Sequence, residues 1–105
     1  MRKSKISISG FKIGTAENRE GLTGVTVILA PDGGATAGVD VRGCAPGTRE
    51  TDLLDPRKTV QKIHAVVLSG GSAFGLEAAS GCVKYLAEQG VGFPIGNVCV
   101  PIVCS

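Results

Sequence analysis

Ala65-Val66-Val67-Leu68-Ser69-Gly70-Gly71-Ser72-Ala73-Phe74-Gly75-Leu76 carries the pattern that decides how this chain folds. Four apolar residues run into two glycines, and a segment with helical spacing leaves them. A strand that turns through glycines into a helix aims several backbone N–H groups at one spot, where the helix macrodipole is positive. Such a turn seats an oxyanion, a carboxylate or a phosphate. The plainer reading is that the glycines only allow tight strand-to-helix packing.

Ser72 is the predicted N-cap of a long helix over 72–89, with Gly90 just past its end. Leu76, Ala79, Val83 and Leu86 recur with the period of one buried helical face, flanked by Cys82 and Ala87. Glu77, Lys84 and Glu88 fall on the wet side, the last two one turn apart. The strand before the turn, 64–69, is apolar on both faces and is expected at the centre of a sheet.

Working outward, Ile6 and Ile8 alternate with serines and predict a half-buried first strand. Gly10-Phe11-Lys12-Ile13-Gly14 reads as a bend and a second short strand, and 18–21 as a polar turn. Val25-Thr26-Val27-Ile28-Leu29-Ala30 is β-branched and stops at Pro31-Asp32-Gly33-Gly34, a strong turn signal. Ala37-Gly38-Val39-Asp40-Val41-Arg42 alternates and reads as the hairpin partner of that strand. Thr51 or Asp52 caps one helical turn through Leu54, ended by Pro56. Residues 91–94 and 98–103 read as two further extended segments. The sum is an α+β domain, a mostly antiparallel sheet with a helix on one face.

With 105 residues the chain is at most one small domain. Its mean hydropathy of +0.25 fits a buried globular core rather than a disordered chain. Sixteen glycines, about twice the common share of about 7%, imply many tight turns. A net charge of +2 argues against a nucleic-acid or membrane surface as the main business. Arg2, Lys3 and Lys5 make a basic start, but Ser4, Ser7, Ser9 and Gly10 interrupt any apolar leader. No apolar run approaches the length of a membrane span, and the cytoplasm is the expected location.

The candidate chemical groups are sparse. Cys44, Cys82, Cys99 and Cys104 lack zinc-ligand spacing, and reduced thiols packed as small hydrophobes are the favoured reading over two disulfides. A nucleophile elbow needs Gly on both sides of Ser72 at a two-residue distance, and Phe74 breaks it. A P-loop fails because Leu76 and Glu77 follow Gly75, and the spacing of Gly70, Gly71 and Gly75 is not a dinucleotide fingerprint. His64 reads as an ordinary, partly buried histidine. Arg42 and Arg49 read as an ion-pair network with Asp40, Glu50 and Asp52. Asn97 precedes Val98, which has no nucleophilic group, and Cys99 reads as packing. The chain stops inside the apolar run Val98-Cys99-Val100-Pro101-Ile102-Val103, so a piece of a longer polypeptide is expected, with the rest completing the sheet. The plainer reading is a frayed terminus.

Four consecutive blocks then point to one family: Gly21-Leu22-Thr23-Gly24-Val25-Thr26-Val27-Ile28-Leu29, Gly38-Val39-Asp40-Val41-Arg42-Gly43, Ala45-Pro46-Gly47-Thr48-Arg49-Glu50-Thr51-Asp52-Leu53-Leu54, and the stretch from His64 to Leu76. Phe93 and Val100-Pro101-Ile102-Val103 continue the match. In order and spacing these resemble the N-terminal part of the L-aminopeptidase/D-esterase family, which also holds β-peptidyl aminopeptidases and nylon-oligomer endohydrolases. Cys44 departs from the pattern, which usually has Gly there, and Cys104-Ser105 departs from a Pro-Ala type continuation. The resemblance implies a four-layer αββα sandwich and an N-terminal-nucleophile hydrolase. Its precursor cuts itself before a Ser or Thr that then serves as nucleophile, with the freed α-amine as base. It also implies a homo-oligomer, no metal or organic cofactor, and a small peptide, amide or ester substrate.

On that resemblance residues 1–105 are the N-terminal segment of a single hydrolase domain, partnered by the downstream, nucleophile-bearing segment of the same precursor. No catalytic residue is expected within this chain. Ser69, Gly70, Gly71, Ser72, Phe74 and Gly75 are the expected lining of the acyl pocket. The competing reading is a small non-catalytic domain that holds an anionic metabolite or partner at the Gly70-Gly71 turn.

Overall fold

The computed structural model describes residues 7–105 and holds two sheets and two helices. In chain order the elements are β1 (Lys12–Asn18), β2 (Thr23–Leu29), a single 3-10 turn at Asp52–Leu54, and β3 (Ala65–Ser69). Then come α1 (Ser72–Gly75), α2 (Ala78–Glu88), β4 (Phe93–Ile95), β5 (Val98–Val100) and β6 (Val103–Cys104). The main sheet has the order β1-β2-β3-β6, and β4 and β5 form a separate hairpin. β1, β2 and β3 are antiparallel neighbours, whereas β6 lies parallel to β3. The expected α+β class and the central place of β3 therefore hold.

β1 and β2 form a hairpin in which the Asn18 side-chain oxygen accepts the Gly21 N–H at 2.8 Å, closing the polar turn expected there. β2 owes its extended form to alternating Val, Thr and Ile, whose branched side chains suit a pleated surface. Residues paired directly across a ladder point to the same face. The register Leu29 to Ala65, Val27 to Val67 and Ala65 to Val103 thus lines one side of the sheet with small apolar groups. α2 lies on that side, and its Ala79, Cys82 and Leu86 join Ala65, Val67 and Val103 in the main core. The predicted buried stripe holds at Ala79, Cys82, Val83 and Leu86, whereas Leu76 is half-buried outside this core and Ala87 is exposed. On the opposite side, Val66 and Cys104 meet Ile63, Ile102, Leu53, Leu54 and Val60 in a smaller cluster built largely from loops.

Several expectations give way. Ile6 lies outside the described residues, and Ile8 is exposed and not in a strand. The second predicted strand instead extends through Asn18. Residues 37–42 form no strand, because both edges of β2 are already taken by β1 and β3. What remains beyond the 31–34 turn is an isolated bridge between Ala35 and Ile63.

The single helix expected over 72–89 is two helices, broken at Leu76 and Glu77. Around the break the chain winds tightly, with Leu76 bonded to Ala73, Glu77 to Phe74, Ala79 to Leu76 and Ser80 to Glu77, each three residues apart. Ser72 is not the cap. Gly71 holds that position at φ 97°, no side chain caps α1, and Ser72 itself sits at φ 59°. The other end follows expectation: Gly90 at φ 70° donates to Ala87, and Val91 donates to Leu86. That pair of bonds is a Schellman stop, with Val91 packed on the main core beside Leu86.

Candidate functional site

The glycine turn sits where β3 leaves the sheet. Its Gly70 N–H donates to the Gly24 carbonyl at 3.0 Å, so the β2–β3 ladder continues one step past Val25 and Ser69 before the chain departs. Gly75 folds back over the same turn. A Cβ there would clash with the Gly70 carbonyl oxygen, so nothing larger than glycine fits without moving backbone. Gly75 N–H also donates to the Gly71 carbonyl at 3.2 Å. Among the described residues, the N–H groups of Gly71, Ser72, Ala73 and Phe74 donate to no protein acceptor. With only four residues in α1, these local groups, and not a helix macrodipole, are what the turn offers.

The six residues expected to line a pocket divide between the two sides of this turn. Ser69 and Ser72 border a groove of about 750 Å³ together with Ala45, Pro46, Gly47, Leu76 and Ser105. Gly70, Phe74 and Gly75, with Ser69 again, border a second groove of about 360 Å³ against the β1–β2 end. Phe74 is 93% exposed there. Gly71 borders neither and lies in the turn between them at φ 97°. The Ser69 and Ser105 hydroxyls stand 3.4 Å apart. Among the described residues no Lys or Arg lines either groove, and the second contains Glu17, already paired with Arg19 at 3.0 Å.

Sequence reading missed the 45–47 loop, Leu76 and Ser105. The loop reaches the groove because Arg49 and Ser105 exchange backbone hydrogen bonds at 2.7 and 3.0 Å, which lashes it to the end of β6. Pairing over so long a separation leaves no local sequence signal. Gly24 was reachable in principle, since antiparallel pairing of β2 and β3 in their apolar register puts it opposite Gly70.

The remaining chemical groups are structural. His64 is buried, and its Nδ1 accepts the Ile102 N–H at 3.0 Å while its own N–H donates to the Ile102 carbonyl. Burial pushes its pKa down, and the occupied Nδ1 is no free base. Arg42 pairs with Asp40 as expected, but Arg49 donates to the Ser80 hydroxyl at 2.7 Å instead of joining a carboxylate network. Cys82 and Cys104 are buried thiols, and burial raises both pKa values, with the Glu50 charge adding to the rise at Cys104. Cys44 and Cys99 are exposed, so the expectation that all four pack as small hydrophobes holds only for the first pair. Among the described residues no group of three His, Cys, Asp or Glu side chains is placed to hold a metal ion. No helix among them is long and apolar enough to cross a membrane.

Comparison with known proteins finds peptidases and amide hydrolases. The model of Peptidase family S58 matches residues 6–105, and the chain belongs to this family, the L-aminopeptidase/D-esterase family. It is 54% identical over 80 residues to an uncharacterized aminopeptidase of Mycobacterium tuberculosis (strain ATCC 25618 / H37Rv), covering 76% of this chain and 23% of the relative. It is 39% identical over 85 residues to a 6-aminohexanoate-oligomer endohydrolase of Paenarthrobacter ureafaciens, covering 81% of this chain and 21% of that protein. The chain thus spans about a quarter or less of the length of these curated relatives.

Proposed function

We propose that residues 1–105 form the N-terminal segment of a single hydrolase domain that cleaves small amides or esters, aminopeptidase-like in its substrates. The observation that carries this reading is the family match over residues 6–105. The nucleophile lies in a downstream segment and is released by autoproteolysis, so that its own α-amine acts as base. Two features support that placement. The matched relatives are more than four times longer than the aligned stretch, and the described side chains offer no nucleophile–base pair: His64 is engaged by Ile102, and two thiols are buried with raised pKa.

In this reading the chain supplies one sheet and one helix layer of a four-layer αββα sandwich, and the Ser69–Gly75 turn forms a wall of the acyl pocket. The protein assembles as a homo-oligomer, works without a metal or organic cofactor, and acts in the cytoplasm. The competing anion-binding role finds less support, since among the described residues no cation lines either groove and one groove carries Glu17. Expression of the complete reading frame, with intact-mass measurement and an amino-acid amide assay, tests the proposal. Two fragments joined at a Ser or Thr, together with amide hydrolysis, are expected. A single uncut and inactive polypeptide would refute it.

A further inference from the structure

The larger groove beside the glycine turn lies between two separate ladders. On the β3 side, Ala30 N–H donates to the His64 carbonyl and Gly70 N–H to the Gly24 carbonyl. The alternate residues between, Ala65, Val67 and Ser69, therefore aim their backbone groups away from β2. Ala65 accordingly donates its N–H to the Ile102 carbonyl, where the chain enters β6. β6 pairs only as far as Val66, while β3 runs on to Ser69. The Val67 carbonyl and both backbone groups of Ser69 are thus directed at the groove. Val67 is 1% exposed, so its carbonyl has little water to turn to.

On the other side, Arg49 and Ser105 exchange both of their backbone bonds, which defines an antiparallel pair. From that pair the chain runs back through Thr48, Gly47 and Pro46 without a turn. A strand extended past Ser105 meets both walls in register. Its first residue falls between the Val67 carbonyl and the Ser69 N–H. Its second falls opposite Gly47, where the antiparallel pattern again calls for two bonds. Its third falls opposite Pro46, where the pattern calls for none, so the missing proline N–H costs nothing. The first side chain stands beside Leu68, which is 58% exposed, and the second beside Ala73 and Leu76. Ala45, Pro46 and Gly47 wall the groove on one side and Val67, Leu68 and Ser69 on the other, with Ser105 between them.

Building on the hydrolase reading, in which a downstream segment follows this chain, we propose that the groove of about 750 Å³ is the seat of a strand and not of substrate. The first three residues of that segment lie in it, parallel to β3 and antiparallel to 45–48. A small amide could use either wall alone, whereas an extended chain satisfies both at once. Substrate is then left the side of the turn bordered by Gly70, Phe74 and Gly75.

The test uses the complete protein, and none of its readouts needs activity. The backbone amides of Ser69 and Gly47 are expected to exchange hydrogen at least about a hundredfold more slowly than unstructured chain, since each is held in a ladder. Gly47→Cys, at a site with room for a side chain, is combined with a cysteine at the second residue after Ser105. Mild oxidation should link the two, as mapped by peptide mass. Moving the second cysteine one residue earlier turns it to the opposite face, and linkage is expected to fall at least about tenfold. Open exchange at Ser69 or Gly47, no linkage from the second residue, or equal linkage from both positions would overturn the proposal. Any of these beside autoproteolysis and amide hydrolysis would leave the hydrolase reading standing. An uncut, inactive protein with protected amides and the position-specific disulfide would do the reverse.

Discussion

β1 has seven residues paired to its neighbour and every one is exposed, whereas β6 has two paired residues and both are buried. Ladder length and burial are therefore separate quantities in this sheet. Backbone hydrogen bonds exchange protein partners for water and contribute about 1 kcal/mol each at most sites. Removing apolar surface from water contributes more per residue, about 1.5–3 kcal/mol for a fully buried aliphatic side chain. The stable part of the molecule is thus the short, parallel junction of β3 and β6 under α2, and the long β1–β2 hairpin hangs from it.

The sharpest way to break that contrast is to cut into the centre. Leu86→Ala, at a site 5% exposed, is expected to cost about 2–5 kcal/mol in urea unfolding. Next comes the turn: Gly75→Ala puts a methyl group on the Gly70 carbonyl and is expected to cost about 1–3 kcal/mol, with amide resonances shifting throughout 70–77. The hairpin supplies the small effect. Thr15→Ala on exposed β1 is expected to stay within about 0.5 kcal/mol of the parent. A loss there comparable to that at Leu86 would abolish the distinction between the two regions.

The β3–β6 junction also sets a pH dependence. Burial lowers the pKa of His64 from its ordinary 6.5, so the unfolded chain takes up this proton before the folded one does. The stability tied to the neutral ring is complete above that ordinary value and is lost as pH falls below it. Protonation would also occupy the Nδ1 that accepts the Ile102 N–H. A falling urea midpoint between about pH 7.5 and about pH 5.5, flattened in His64→Gln, is the expected result. The least consequential change is at the surface. Arg57 bonds to the Asp55 carboxylate and holds its pKa below the ordinary value, and Arg57→Ala should return the Asp55 titration toward normal by NMR without altering the fold.

Much of the centre was legible because its signals are local and periodic. The spacing of Ala79, Cys82 and Leu86 gave the face of α2, and the unbroken apolar run gave the central position of β3. The break in the helix was not legible. It sits beside the close approach of Gly75 to Gly70 and shows as a run of three-residue bonds, and apolar spacing does not distinguish that from a continuous helix. The alternation at 37–42 misled for another reason: a strand pattern needs a free sheet edge, and β2 had none left. The glycine turn itself was placed correctly, but the 45–47 loop and Ser105 reach the larger groove only through pairing of Arg49 with Ser105.

The parallel seat of β6 has a consequence for how the chain is made. His64 and Ile102 are 38 residues apart, and translation at about 5–20 residues per second separates them by about 2–8 s. Throughout that interval Ala65 and Val67 have emerged from the ribosome without the strand that will shield one of their flanks. A nascent chain in that condition is a natural client for holding chaperones, and slowing synthesis after Ala65 and Val67 have left the exit tunnel but before Val103 has done so should increase both chaperone capture and aggregation.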